Sequence, residues 1–194
     1  MAEHQTEEQQ VEAIKTFWNE NGNAIIGGLI IGFASFIGYG YYKEHKLGTE
    51  INASEAYQNV LELADKDATA YRQAGDKFIS ENSESSYAAL TALALAKDAA
   101  EHDDWSQAAS YLTTAISKTS DNSLKAIATV RLARVQIQLE QYEQAIATVA
   151  QPLPESFKAN VEEIKGDAYL KQDKIDMARA AYQAAIDASA QNAS

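Results

Sequence analysis

His4, His45 and His102 are the only side chains in the sequence whose ordinary pKa lies near neutrality, and they stand 41 and 57 residues apart. A helix-borne metal pair needs its ligands about four positions apart, so no metal site is expected. Cysteine is absent. That removes thiol nucleophiles, disulfides and thiolate ligands, and it suits either side of a membrane. The acidic pairs Asp103-Asp104 and Glu162-Glu163 could in principle share a proton. Each falls instead where a helix start or a solvated helix face already favours carboxylates. No phosphate-binding loop or nucleophile elbow occurs. Neither a cofactor nor an enzymatic activity is expected.

The chemistry that remains belongs to small side chains that let helices approach. Gly28 and Gly32 are four positions apart and Ser35 follows on the same helical face, a spacing that suits close packing between membrane helices. These three lie in Ala24–Tyr42, AIIGGLIIGFASFIGYGYY, which runs nineteen residues without Asp, Glu, Lys, Arg or His. At about 1.5 Å per residue the stretch covers roughly 28 Å, close to the ~30 Å hydrocarbon thickness of a bilayer. Tyr39, Tyr41 and Tyr42 close it where amphipathic rings prefer the headgroup level, and Lys43 and Lys46 follow. A signal peptide wants a basic start and a small-residue cleavage site; here an acidic stretch precedes and bulky tyrosines follow. An uncleaved transmembrane helix over residues 24–42, in contact with membrane lipid, is expected.

Residues 1–23 form a short arm on the other side of the span. Residues 1–10 are polar and acidic and are expected to be disordered. Val11, Ile14, Phe17 and Trp18 then recur at helical spacing, predicting an amphipathic helix that stops at Asn19-Glu20-Asn21-Gly22. Such a helix could rest on the membrane interface or hold a partner. Lys15 is the only basic residue before the span. The positive-inside rule leans weakly toward a cytoplasmic C-terminal side, but long domains translocate largely regardless of charge. Charge leaves the orientation open.

From Leu47 onward there are 13 Lys+Arg against 22 Asp+Glu, a balance that excludes nucleic acid as a partner and disfavours adhesion to anionic lipid. Only Pro152 and Pro154 break a chain rich in alanine, so the fold class is all-α. Helices are expected over 49–64 and 68–80, joined by Asp65-Lys66-Asp67. After Asn82 a repeat appears. The pairs Trp105/Ala108, Tyr142/Ala145 and Ile175/Ala178 each place a bulky residue three positions before a small one, and the alanines are 37 and 33 residues apart. The intervals bracket the 34-residue period of tetratricopeptide (TPR) repeats. Ala96, Ala133 and Gly166 stand twelve positions before each of these alanines. Small side chains at both places would let the two helices of a repeat cross closely. Residues 43–194 are thus expected to form a TPR-like helical-repeat domain, an α-solenoid, with Pro152-Leu153-Pro154 ending its middle unit.

Several stretches together resemble one family, the YfgM-like ancillary subunits of the bacterial SecYEG translocon. The carriers are Gln10-Val-Glu-Ala-Ile-Lys-Thr-Phe-Trp-Asn-Glu-Asn-Gly22, the Gly-rich span, Ala56-Tyr57-Gln58-Asn59, and Leu124 to Leu139 (LKAIATVRLARVQIQL). The resemblance implies a bacterial inner-membrane protein with a cytoplasmic N-terminus and a periplasmic repeat domain. It also implies partnership with the SecYEG translocon and with the membrane-anchored periplasmic chaperone PpiD, and through them with exported client proteins. Some relatives are expected to carry a helical tail beyond the position of Ala190, near which this chain ends.

In TPR folds the first helix of each repeat lines the concave face. The alanine register then nominates Leu90, Leu93 and Lys97, next Ile127, Val130, Arg134 and Ile137, and last Glu163, Asp167 and Leu170. Of these, Leu93, Lys97, Val130, Arg134, Ile137 and Asp167 are the candidate binding residues. The Lys and Asn pairs with which TPR domains grip a C-terminal carboxylate are missing, and the apolar members could equally be core. The functional expectation is an accessory subunit that couples the translocon to periplasmic chaperones receiving exported proteins. Two other readings stay open: a regulator whose arm around Val11 to Trp18 holds a cytoplasmic signalling protein, and a general scaffold for envelope assembly.

Overall fold

The computed structural model describes residues 7–64 and 66–192. All regular structure among them is helical: α1 (Glu7–Leu61), α2 (Ala68–Glu81), α3 (Ser86–Glu101), α4 (Trp105–Lys118), α5 (Asn122–Gln138), α6 (Tyr142–Val149), a 3-10 turn (Glu155–Phe157), α7 (Lys158–Lys171) and α8 (Ile175–Asn192). The chain divides into two units after Thr49.

The first unit is the helix α1 as far as Thr49. Helix begins at Glu7, within the stretch expected to be disordered; residues 1–6 lie outside the described residues. The expected stop at Asn19-Glu20-Asn21-Gly22 does not occur. Asn21 donates its side-chain amide to the carbonyl of Phe17 at 3.1 Å, and the Trp18 indole covers Gly22, so both residues are accommodated within the helix. One glycine costs a helix only about 1 kcal/mol, and no proline is present to break it. For the same reason the expected helix over 49–64 is no separate element. It is the continuation of α1, ending at Leu61.

The second unit starts at Glu50 and holds the last turns of α1 together with α2–α8. Each helix from α2 onward packs on the next, and α5 also packs on α7. This sequential stacking is the mark of a repeat array. Side-chain oxygens of Asp67, Ser85, Asp104 and Asp121 accept from the first free backbone N–H groups of α2 to α5. Asp104 of the first acidic pair is thus a helix cap. Most of the buried apolar residues are alanines.

Three helical hairpins, α3/α4, α5/α6 and α7/α8, turn in the same way. Asp103, Glu140 and Asp173 adopt left-handed backbone conformations, with φ of 59°, 61° and 58°. The next residue in each case donates its N–H five positions back: Asp104 to Ala99, Gln141 to Gln136, and Lys174 to Tyr169, at 2.8–3.0 Å. That is the Schellman closure, usually built on glycine.

Candidate functional site

Two surfaces stand out, one in each unit. On α1, nearly every side chain from Gln10 to Thr49 is exposed, and the apolar stretch is long enough to cross a membrane. Nothing lies within 4 Å of where a Cβ on Gly28 or Gly32 would sit. The two glycines form a notch with Ile25, Leu29, Phe33 and Phe36, while Ser35 is exposed outside it. At Gly166 the space is full. A Cβ there would stand 2.6 Å from the ring of Tyr182, so the ring packs on bare backbone.

In the repeat unit, Ala108, Ala133 and Ala145 are wholly buried, and Ala96, Gly166 and Ala178 are buried too. Gly75, which the repeat register did not single out, has the same character: a Cβ would stand 2.7 Å from the Leu95 side chain. The hydroxyl of Tyr182 donates to Asp167 Oδ1 at 2.7 Å. Desolvation, then that hydrogen bond and the Asp167 charge, push the Tyr182 phenol up to about 12. Burial, then the Asp98 charge, hold the Tyr71 phenol at about 12 as well.

A groove of about 260 Å³ opens between α3 and α5. Leu93, Ala96, Ala100, Leu112 and Val135 form its apolar lining, and Lys97, Arg131 and Arg134 form its charged rim. Lys97 pairs with Glu101 at 3.5 Å and Arg134 with Glu163 at 3.3 Å, all four side chains well exposed. The structure therefore brings Leu93, Lys97 and Arg134 to one place. Val130 and Ile137 are not part of that groove. They pack with Ile164 and Ala168 of α7 in the core. Asp167 also lies elsewhere, bonded to Tyr182. Leu90 and Ile127 line a second hollow between the N-terminal parts of α3 and α5. Glu163 reaches the groove only through Arg134, and Leu170 is exposed on α7. Arg131, on the same helical face as Ile127 and Arg134, is the charged groove residue that the register omitted; it also omitted the apolar Ala100, Leu112 and Val135.

The described histidines and Glu162 make at most local contacts along their own helices. His45 is exposed on α1, and His102 Nδ1 lies 2.8 Å from the carbonyl of Asp98; His4 is outside the described residues. Glu162 accepts from Lys165 at 2.7 Å. Among the described residues no three His, Cys, Asp or Glu gather to hold a metal ion.

A family model described as a tetratricopeptide repeat-like domain matches residues 15–194. The ancillary SecYEG translocon subunit of Escherichia coli (strain K12) is 36% identical over 183 residues, covering 94% of this chain and 88% of that protein. The protein of the same name from Haemophilus influenzae is 34% identical over 170 residues, covering 87% and 83%. That from Aggregatibacter actinomycetemcomitans is 32% identical over 179 residues, covering 92% and 88%.

Proposed function

The chain belongs to the family of ancillary SecYEG translocon subunits, and from that premise we propose that it is a single-pass inner-membrane accessory of the Sec protein-export channel. Residues 24–42 cross the bilayer, residues 1–23 form a cytoplasmic arm, and residues 43–194 form a periplasmic repeat domain. That domain holds a periplasmic chaperone, PpiD, near exported client proteins as they emerge. The observation that carries this reading is the extent of the similarity, which runs through α1 as well as the repeats.

Tethering is a sufficient mechanism. Two weak binders confined to one membrane meet at a raised effective concentration, so a modest contact becomes a stable one. Within the hydrocarbon, apolar surface gives no preference for protein over lipid, and close backbone approach is needed instead. The open face at Gly28 and Gly32, with the hydroxyl of Ser35 beside it, is the part of α1 suited to that approach.

Affinity purification in mild detergent tests the reading: SecYEG and the chaperone are expected to co-purify, and their absence sinks it. The double variant Gly28→Ile, Gly32→Ile is expected to insert normally and lose SecYEG. Retention at the native level would move the contact out of the membrane. Because the chain has no cysteine, single-cysteine labelling reads the orientation directly. A membrane-impermeant thiol reagent added to cells with permeabilised outer membranes is expected to modify Ser194→Cys and spare Ala2→Cys. The reverse pattern overturns the topology.

A further inference from the structure

The groove between α3 and α5 carries an inference that goes beyond the translocon reading and does not depend on it. Its volume, about 260 Å³, lies below the roughly 300–1,000 Å³ of pockets that enclose small ligands. It is sized for one or two side chains of a larger partner. The floor is apolar, so the inserted side chain is apolar. The rim holds three cations on a unit that carries an excess of acid, 13 Lys+Arg against 22 Asp+Glu beyond Leu47.

The state of those cations says more. Lys97 and Arg134 are engaged only in exposed pairs, which contribute about 0–1 kcal/mol and exchange readily. Arg131 is exposed and pairs with no carboxylate among the described residues. A planar guanidinium beside an apolar floor is suited to a carboxylate held two-pronged, with the neighbouring methylenes on the floor. We infer that this groove binds an acidic segment of another protein, anchored by one large apolar side chain in the pocket and by carboxylates on Arg131, Arg134 and Lys97. An anionic membrane surface fits less well, because an extended bilayer face meets the acidic surroundings of the groove as well as its basic rim, whereas a short segment meets the rim alone.

The test uses the full-length chain in detergent and fluorescein-labelled, C-terminally amidated octapeptides read by anisotropy. One peptide has a central Phe flanked by Asp and Glu, a second replaces the acids with Asn and Gln, and a third replaces Phe with Ala. The first is expected to bind at least about tenfold more tightly than either of the others, and less tightly as salt rises. Arg131→Glu is expected to weaken it by about tenfold or more, with an unchanged melting temperature because Arg131 is exposed. Arg131→Gln serves if the reversal disturbs folding. Arg179→Glu on α8, outside the groove, is expected to leave binding unchanged.

Equal binding of the acidic and neutral peptides, or indifference to both Arg131 variants, overturns the inference. So does a failure of the acidic peptide to bind while short-chain phosphatidylglycerol does. Concentration-dependent self-association that Arg131→Glu abolishes would assign the groove to a second copy and overturn it too. Peptide binding without co-purification of SecYEG would leave the groove standing and remove the translocon reading; the opposite result would do the reverse.

Discussion

Phe36 on α1 is 77% exposed, whereas Leu95 on α3 is wholly buried, although both are large apolar side chains on regular helices. The contrast extends to the glycines. Gly28 and Gly32 face open space, while Gly75 and Gly166 each have a side chain pressed against the backbone. In α1 as far as Thr49 the large residues point outward and the small ones leave a notch. In the repeat unit the small residues are buried, and a few large ones fill the spaces between them. The same residue types therefore report two solvents. Where lipid is the surroundings, bulk outside carries no penalty. Where water is, bulk must be covered, and alanine and glycine at the crossings let helices approach closely enough to cover it.

Truncation should expose this difference most strongly. Leu95→Ala is expected to cost about 2–5 kcal/mol, because the cavity beside Gly75 cannot close fully. Phe36→Ala should leave the thermal unfolding of the repeat unit, followed by circular dichroism in detergent, unchanged. A comparable loss for Phe36→Ala would mean that the stretch of α1 around Phe36 has a folded neighbour after all.

Enlargement is the next test. Gly166→Ala drives a methyl into the Tyr182 ring and is expected to cost about 1–3 kcal/mol; Gly32→Ala, with nothing nearby, should cost nothing. Ala145→Leu should cost a similar 1–3 kcal/mol at its buried crossing, and Gln144→Leu, one position along and exposed, should be nearly neutral. Equal losses at residues 144 and 145 would show that the repeat register is misplaced.

The alkaline limb of stability offers a third comparison. A phenol held at about 12 when folded and near 10 when unfolded favours the folded state below pH 10. That contribution declines as pH rises from about 10 to about 12. Tyr182→Phe should lose stability at pH 7, through the missing bond to Asp167, and show a shallower decline above pH 10 in denaturant titrations. An unchanged alkaline slope would mean that Tyr182 ionises as freely in the fold as in the unfolded chain. The smallest effect is a gain: Glu140→Gly should raise the melting temperature slightly, by the equivalent of up to about 1 kcal/mol, because glycine adopts the left-handed turn without strain.

Much of the fold could be read from residue types. The charge-free run Ala24–Tyr42 and the alanine interval of 37 and 33 residues both reflect strong local constraints, and they announce an apolar helix followed by a TPR-like array. The three left-handed turn residues follow the same 37 and 33 spacing, yet the sequence hides them, because Asp103, Glu140 and Asp173 occupy positions where glycine would have been the signal. The false stop at Asn19–Gly22 has the opposite cause: helix-breaking propensity is weak, and one side-chain bond within the helix offsets part of it. The groove was half visible. Helical register brings Leu93, Lys97 and Arg134 to one side, but which face of α5 turns toward α7 is decided by packing. That rotation buries Val130 and Ile137 and brings Arg131 to the rim.

The buried residues of α5 serve two cores: Ala128, Leu132 and Val135 belong to one with α2, α3 and α4, and Val130, Ala133 and Ile137 to another with α6 and α7. The helix acts as a party wall. An opening that begins at α8 can run inward through α7 and α6, yet it meets a second, intact room behind α5. Amide hydrogen exchange would then show two plateaus, with the step falling within a single helix. A protease arriving at the C-terminal end would clip one room and leave the other standing.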